Sequence, residues 1–174
     1  MSYTLQKPCS DEDKDNFIMH YNWELRYTIY ETKEAIYALE PNEIVQDGEI
    51  IINPNYEEEL LNKAKFEKLI FNDELRDAAL IQGVTYQDIL FDSDTDQKVN
   101  LLATVTTMTD EDTIVWYGMN NDHLECTKAD LFAIGQMIIN LHSFCWTKNA
   151  TIKQAIEDAT TIEEVEAIEI DYTL

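Results

Sequence analysis

Glycine and proline are scarce in this chain: four glycines and three prolines are spread over 174 residues. That leaves no glycine-rich loop to cradle a phosphate and no long flexible linker. Cysteine is equally sparse. Cys9, Cys126 and Cys145 are odd in number and fit no metal-ligand spacing, so they read as free thiols of a reducing compartment. Basic residues are few as well, 12 Lys and Arg against 35 Asp and Glu, for a formal net charge of -23. Direct binding to nucleic acid through a basic patch is therefore not expected. A basic partner protein suits the charge, and so does simple solubility. No apolar run approaches the roughly 20 residues of a membrane span, so no membrane contact is expected. Asp11, Glu12 and Asp13 near the N-terminus, with no apolar stretch, argue against secretion by a signal peptide. Neither Gly-x-Ser-x-Gly nor His-Glu-x-x-His occurs. The chain is expected to be no enzyme and to carry no cofactor.

What is present is one long, regular amphipathic segment, Thr127 to Ile156. Leu131, Ile134, Ile138, Leu141, Cys145, Ile152 and Ile156 fall on one helical face at a period near 3.5 residues, with Lys148 interrupting the seam. Thr127 stands at the N-cap with Asp130 three residues on. This helix is expected to be the scaffold against which the rest packs.

Ahead of it the chain reads as α+β. A small N-terminal antiparallel β module with one short helix is expected over residues 1–55. Tyr3–Leu5, Tyr27–Glu31, Ala35–Leu39, Glu43–Val45 and Glu49–Asn53 read as strands, and Asp47-Gly48 suits a tight hairpin. Ser10 with Asp13 starts a helix expected over Asp11–Asn22, burying Phe17, Ile18 and Tyr21. A long connecting helix over residues 56–83 is expected to run from Tyr56 to Gln82 as a spacer. Its loose stripe is Leu60, Ala64, Phe71, Leu75 and Ala78 or Ala79, with Gly83 as the stop. Residues 84–174 form a C-terminal helical domain with one or two short β-hairpins. There Val84–Phe91 alternates, and Gln97–Met108 is a helix whose apolar face is Leu101, Leu102, Val105 and Met108. Thr113–Gly118 pairs with His123–Cys126. A last helix spans Ile162–Ile168, and Ile170–Leu174 is an extended tail.

Few residues suggest chemistry. Asp92, Asp94 and Asp96 match the first ligands of a calcium loop, but Gln97 stands where the loop needs glycine and Ala103 where it needs glutamate. Capping of the following helix is the better reading. His142 and Cys145 share a helical face, yet zinc needs two further ligands, and His20, His123, Cys9 and Cys126 stand singly. A packed pair is expected, and no metal. Trp116 and Trp146 are expected in the core. Trp23, Tyr27 and Tyr30, in a module with little core to enter, are the candidates for a partner contact.

The order of several short motifs carries a resemblance: Gly83-Val84-Thr85-Tyr86, Ile89 to Asp94, Thr113 to Trp116, Thr127 to Leu131, His142 to Trp146, Ile152 to Ile156, and Thr160 to Ile168. Together they resemble the phage domain of unknown function 4376, over about Tyr56 to Leu174. The segment from Tyr3 to Pro54 is similar to segments that precede this domain in phages. The resemblance implies a bacteriophage or prophage protein encoded among tail genes, found in the virion or the host bacterial cytoplasm, and it brings no catalytic residues.

Two functions follow as expectations. The first is a tail-region structural, assembly or interaction protein whose partner is a tail component. The second is an acidic anti-defence inhibitor of an anti-CRISPR or DNA-mimic type. Its partner would be a basic host nucleic-acid-binding protein, and its candidate mimic surface is Asp92, Asp94, Asp96, Asp110, Glu111 and Asp112.

Overall fold

The computed structural model describes residues 2–173, with Glu24 described by its backbone alone. The chain is α+β and divides into two compact units, Met1–Leu60 and Leu61–Leu174. Among the described residues no helix is long and apolar enough to cross a membrane.

The first unit holds β1 (Tyr3–Gln6), α1 (Asp11–Ile18), β2 (Thr28–Glu31), β3 (Ala35–Leu39), β4 (Glu43–Gln46) and β5 (Glu49–Ile52). β1, β3 and β2 form an antiparallel sheet in that order, with β3 central and buried along its whole length. Ala35, Tyr37 and Leu39 pack against Val45 and Ile50 of the β4–β5 hairpin. Strand alternation turns Ile36 and Ala38 to the opposite face. The hairpin turn is the expected one: Asp47 and Gly48 both take positive φ, 52° and 84°, between paired Gln46 and Glu49. Ser10 caps α1 by accepting from the Asp13 N–H. The α-helix does not continue to Asn22, however. It widens after Ile18 into a π-helical turn, Met19–Glu24, which brings Tyr21 onto Tyr3 (centroids 4.5 Å apart) and beside Tyr27. Phe17, Ile18 and Tyr21 end half-buried.

The second unit comprises α2 (Tyr56–Leu80, here from Leu61), β6 (Val84–Tyr86), β7 (Ile89–Phe91), α3 (Thr95–Thr107), β8 (Thr113–Tyr117), β9 (His123–Thr127), α4 (Lys128–Asp158) and α5 (Ile162–Ala167). Its core is the inner stripe of α4. Leu131, Ile134, Ile138, Leu141, Cys145, Ile152 and Ile156 are all buried, and Ala79, Val84, Phe91, Leu101, Cys126 and Tyr172 close over them. Each large aliphatic side chain so buried contributes about 1.5–3 kcal/mol.

Several elements depart from the sequence reading. Val84–Phe91, whose alternation does not show where it turns, is one of two short hairpins, because Gln87 and Asp88 both take positive φ (48° and 63°) in a two-residue turn. α2 is a wall of the core and not a spacer: Leu69, Leu75 and Leu80 pack against it. Leu75 and Ala79 of the expected stripe pack against the core, but Phe71 does not. Phe71 is exposed and Asn72 fully buried, since Asn72 accepts a hydrogen bond from the Tyr172 hydroxyl at 2.8 Å. That tail residue is what the hydropathy of α2 could not anticipate. The tail's last residue, Leu174, lies outside the described residues. Leu102 and Trp146, both expected inside, are exposed, whereas Trp116 packs against the core as expected.

Two local devices hold the unit. Ser93 is buried; its hydroxyl donates to Leu80 C=O (2.6 Å) and accepts from the Gly83 N–H (3.1 Å), tying the end of α2 to the start of α3. Gly83 has φ +87°, and a Cβ there would stand 2.6 Å from the Phe91 carbonyl oxygen. Gly83→Ala is therefore expected to destabilise by at least about 2 kcal/mol, read as a lower urea midpoint.

At the other end, Thr127 and Asp130 form the expected capping box. The Thr127 hydroxyl, its backbone N–H and the Tyr86 hydroxyl all donate to the Asp130 carboxylate and hold its pKa below the usual value. A depressed carboxylate pKa contributes stability that is present above the ordinary value and lost as pH falls through the folded one. Asp130→Asn is expected to cost about 1 kcal/mol at neutral pH. In paired urea titrations the gap to the parent should close below about pH 4.

Candidate functional site

The structure separates the six carboxylates proposed as a mimic surface into two groups. Asp92, Asp94 and Asp96 lie at the start of α3, and Asp110, Glu111 and Asp112 lie just beyond its end. The 13 residues of α3 put roughly 20 Å between them. Three of the six also have local partners. Asp94 is the α3 N-cap and accepts from the Gln97 N–H at 2.7 Å. Asp112 accepts from the Thr109 N–H at 2.6 Å, which lowers its pKa, and Asp110 stands 3.9 Å from Lys128. Among the described residues no group of three His, Cys, Asp or Glu is placed to hold a metal ion.

The three aromatic candidates of the N-terminal unit are not brought together either. Tyr27 is half-buried, lies beside Tyr3 and Tyr21, and donates to Glu40 Oε1 at 3.3 Å. Tyr30 pairs with Tyr37 across the ladder and so shares the face of the β4–β5 hairpin. Trp23 sits on the π-helical turn, whose Tyr21 stacks on Tyr3, and register places Tyr3 with Ala38 on the opposite face. Among the described residues Trp23 is the most exposed large hydrophobic side chain, at 70%.

His142 and Cys145 follow the packed-pair expectation. The His142 Nε2 lies 2.8 Å from the Ser93 carbonyl, which only accepts, so Nε2 carries the proton. Nδ1 is then free to accept from Lys98 Nζ at 3.3 Å. Cys145 and Cys126 are fully buried. Burial raises both thiol pKa values, with nearby Asp130 adding to the effect at Cys126, which is pushed up to about 11. Thiols so held are poor nucleophiles.

A surface that the sequence reading missed lies on the outer side of the second unit. α3 and α4 bound an apolar groove of about 320 Å³, lined by Leu101, Leu102, Val105, Phe132, Gly135 and Ile139. Leu102 and Phe132 on its walls are 67% and 65% exposed, and the stripe continues along α4 through Ile139 and Trp146, 58% and 53% exposed. The Arg76 guanidinium lies 4.5 Å from the Trp146 ring. Gly135 sits inside the helix, where glycine costs about 1 kcal/mol relative to alanine, yet a Cβ there would meet nothing within 4 Å. Two signals in the sequence mark this face. Phe132, Ile139 and Trp146 recur every seven residues, and no carboxylate occurs from Leu131 to Ile156.

The thiol environments are directly measurable. In the native protein a disulfide reagent should titrate half-exposed Cys9 quickly. Cys126 and Cys145 should react only after denaturant is added, and rapid native reaction of all three would contradict the burial described.

No curated protein and no solved structure matches this chain. Residues 64–173 match the family described as a domain of unknown function, DUF4376. That span covers well over half of the chain, including the whole of α3 and α4, and so the chain belongs to the DUF4376 family.

Proposed function

We propose that this chain is a non-enzymatic bacteriophage or prophage protein of the tail region that acts by binding another protein. The phage context rests on the motif order set out above; the family description itself carries no activity. The observation that most favours a binding role is Trp23. A tryptophan left 70% exposed is the kind of side chain that anchors protein interfaces, where truncation costs 2 kcal/mol or more. A non-enzymatic reading is supported by the titratable groups near the core: both buried thiols are raised in pKa, and His142 is held between Ser93 and Lys98. The working locations are the virion or the host cytoplasm.

The net charge of -23 favours a second reading, an acidic inhibitor of a host defence nuclease. Against it, α3 stands between the two carboxylate groups and has no acid after Asp96. A complex with a basic nuclease that loosens as salt is added would support this reading over the first.

Mass spectrometry of purified particles should find the chain, and immobilised chain should retain a tail protein. Trp23→Ala should weaken that retention by at least about tenfold while leaving the thermal midpoint unchanged. Absence from particles together with no tail protein bound would sink the reading.

A further inference from the structure

From the outer face of α4 we infer that the chain pairs with a second copy of itself, α4 against α4 in antiparallel orientation, about a two-fold axis through Ile139. The pairing is independent of the phage reading. Its ground is a palindrome. Counting outward from Ile139 in either direction, a small residue comes after four positions, Gly135 and Ser143, and an aromatic after seven, Phe132 and Trp146. The steps are three, four, four and three, the spacing of a helix–helix seam. Phe132, Ile139, Ser143 and Trp146 are exposed, and none belongs to the inner stripe.

A two-fold operation makes this stripe complementary to itself. Ile139 meets the same residue of the second copy. Gly135 meets Ser143, and two small side chains let the helices approach. Phe132 meets Trp146 of the second copy, next to the apolar groove between α3 and α4. Open space over Gly135 explains why glycine occupies a helix interior with no neighbour in its own chain that requires it. A different protein would have no need of the palindrome.

Charge selects the same face. Two molecules at -23 each repel on most approaches. α4 from Leu131 to Ile156 and α3 from Gln97 on have no carboxylate, and Lys98 lines the groove. The pairing should therefore tighten as salt is added, because screening removes repulsion between like-charged copies. Complexes of an acidic protein with a basic partner respond in the opposite sense.

The test is sedimentation equilibrium of the full chain across a salt series. The expected mass is twice the 20.2 kDa of the chain, with affinity rising with salt. Ile139→Glu and Ile139→Lys each place a charge against its own copy and should weaken pairing by at least about 100-fold. Their thermal midpoints should match that of the parent measured as a monomer, since the side chain is 58% exposed there. An equimolar mixture of the two variants sets Glu against Lys and should restore the dimer. A monomer at every salt concentration, a dimer that both variants leave intact, or a mixture that stays monomeric would each overturn the proposal.

Discussion

The second unit depends on the burial of one side of α4. A helix of 31 residues is roughly 46 Å long, and its inner stripe is too apolar to face water. The remaining elements of the unit are arranged to cover it. α3 supplies Leu101, the β8–β9 hairpin Cys126, the β6–β7 hairpin Val84 and Phe91, α2 Ala79 and the C-terminal tail Tyr172. Where α2 meets α4 the contact is also polar. Asp73 accepts from Arg76 (2.6 Å), Asn149 (3.1 Å) and Lys153 (3.0 Å), so the buried Asn149 amide has a hydrogen-bond partner. Covering one side leaves the other, and the outer face of α4 is apolar as well.

The motif Phe91-Asp92-Ser93-Asp94 shows how residues that suggest ion binding serve the fold. Phe91 is in the core, Ser93 bridges Leu80 to Gly83, and Asp94 caps α3. The Ser93 carbonyl in turn orients the ring of His142. Asp92, Asp94 and Asp96 thus surround a junction whose geometry is set by backbone donors and acceptors within the protein.

Acid is distributed according to the same division. Carboxylates gather at the N-termini of α1, α2 and α5, where the helix dipole favours them. They are missing from the outer middle of α4. A chain with an excess of 23 negative charges keeps the stretch of α4 from Leu131 to Ile156 free of carboxylates, and that asymmetry carries more functional information than the net charge alone.

Much of the fold was legible in the sequence because it is local. The α4 stripe, its Thr127–Asp130 cap and the Asp47-Gly48 turn follow from spacing and from side chains that bond their own backbone. The β6–β7 turn was not legible, because Gln87 and Asp88 are weak turn signals and only the closed hairpin enforces their positive φ. The place of Asn72 on the inner face of α2 was not legible either. Asn72 is buried because Tyr172, 100 residues away, returns to bond it, and no window of sequence contains both. For the candidate surfaces, the sequence by itself determined which side chains are large, apolar or acidic. Only the tertiary structure decided which of them remain in water, since each helix face is buried or left open by elements distant in the chain. Trp146 and Leu102 look like core residues by type, but the inner side of each helix was already occupied.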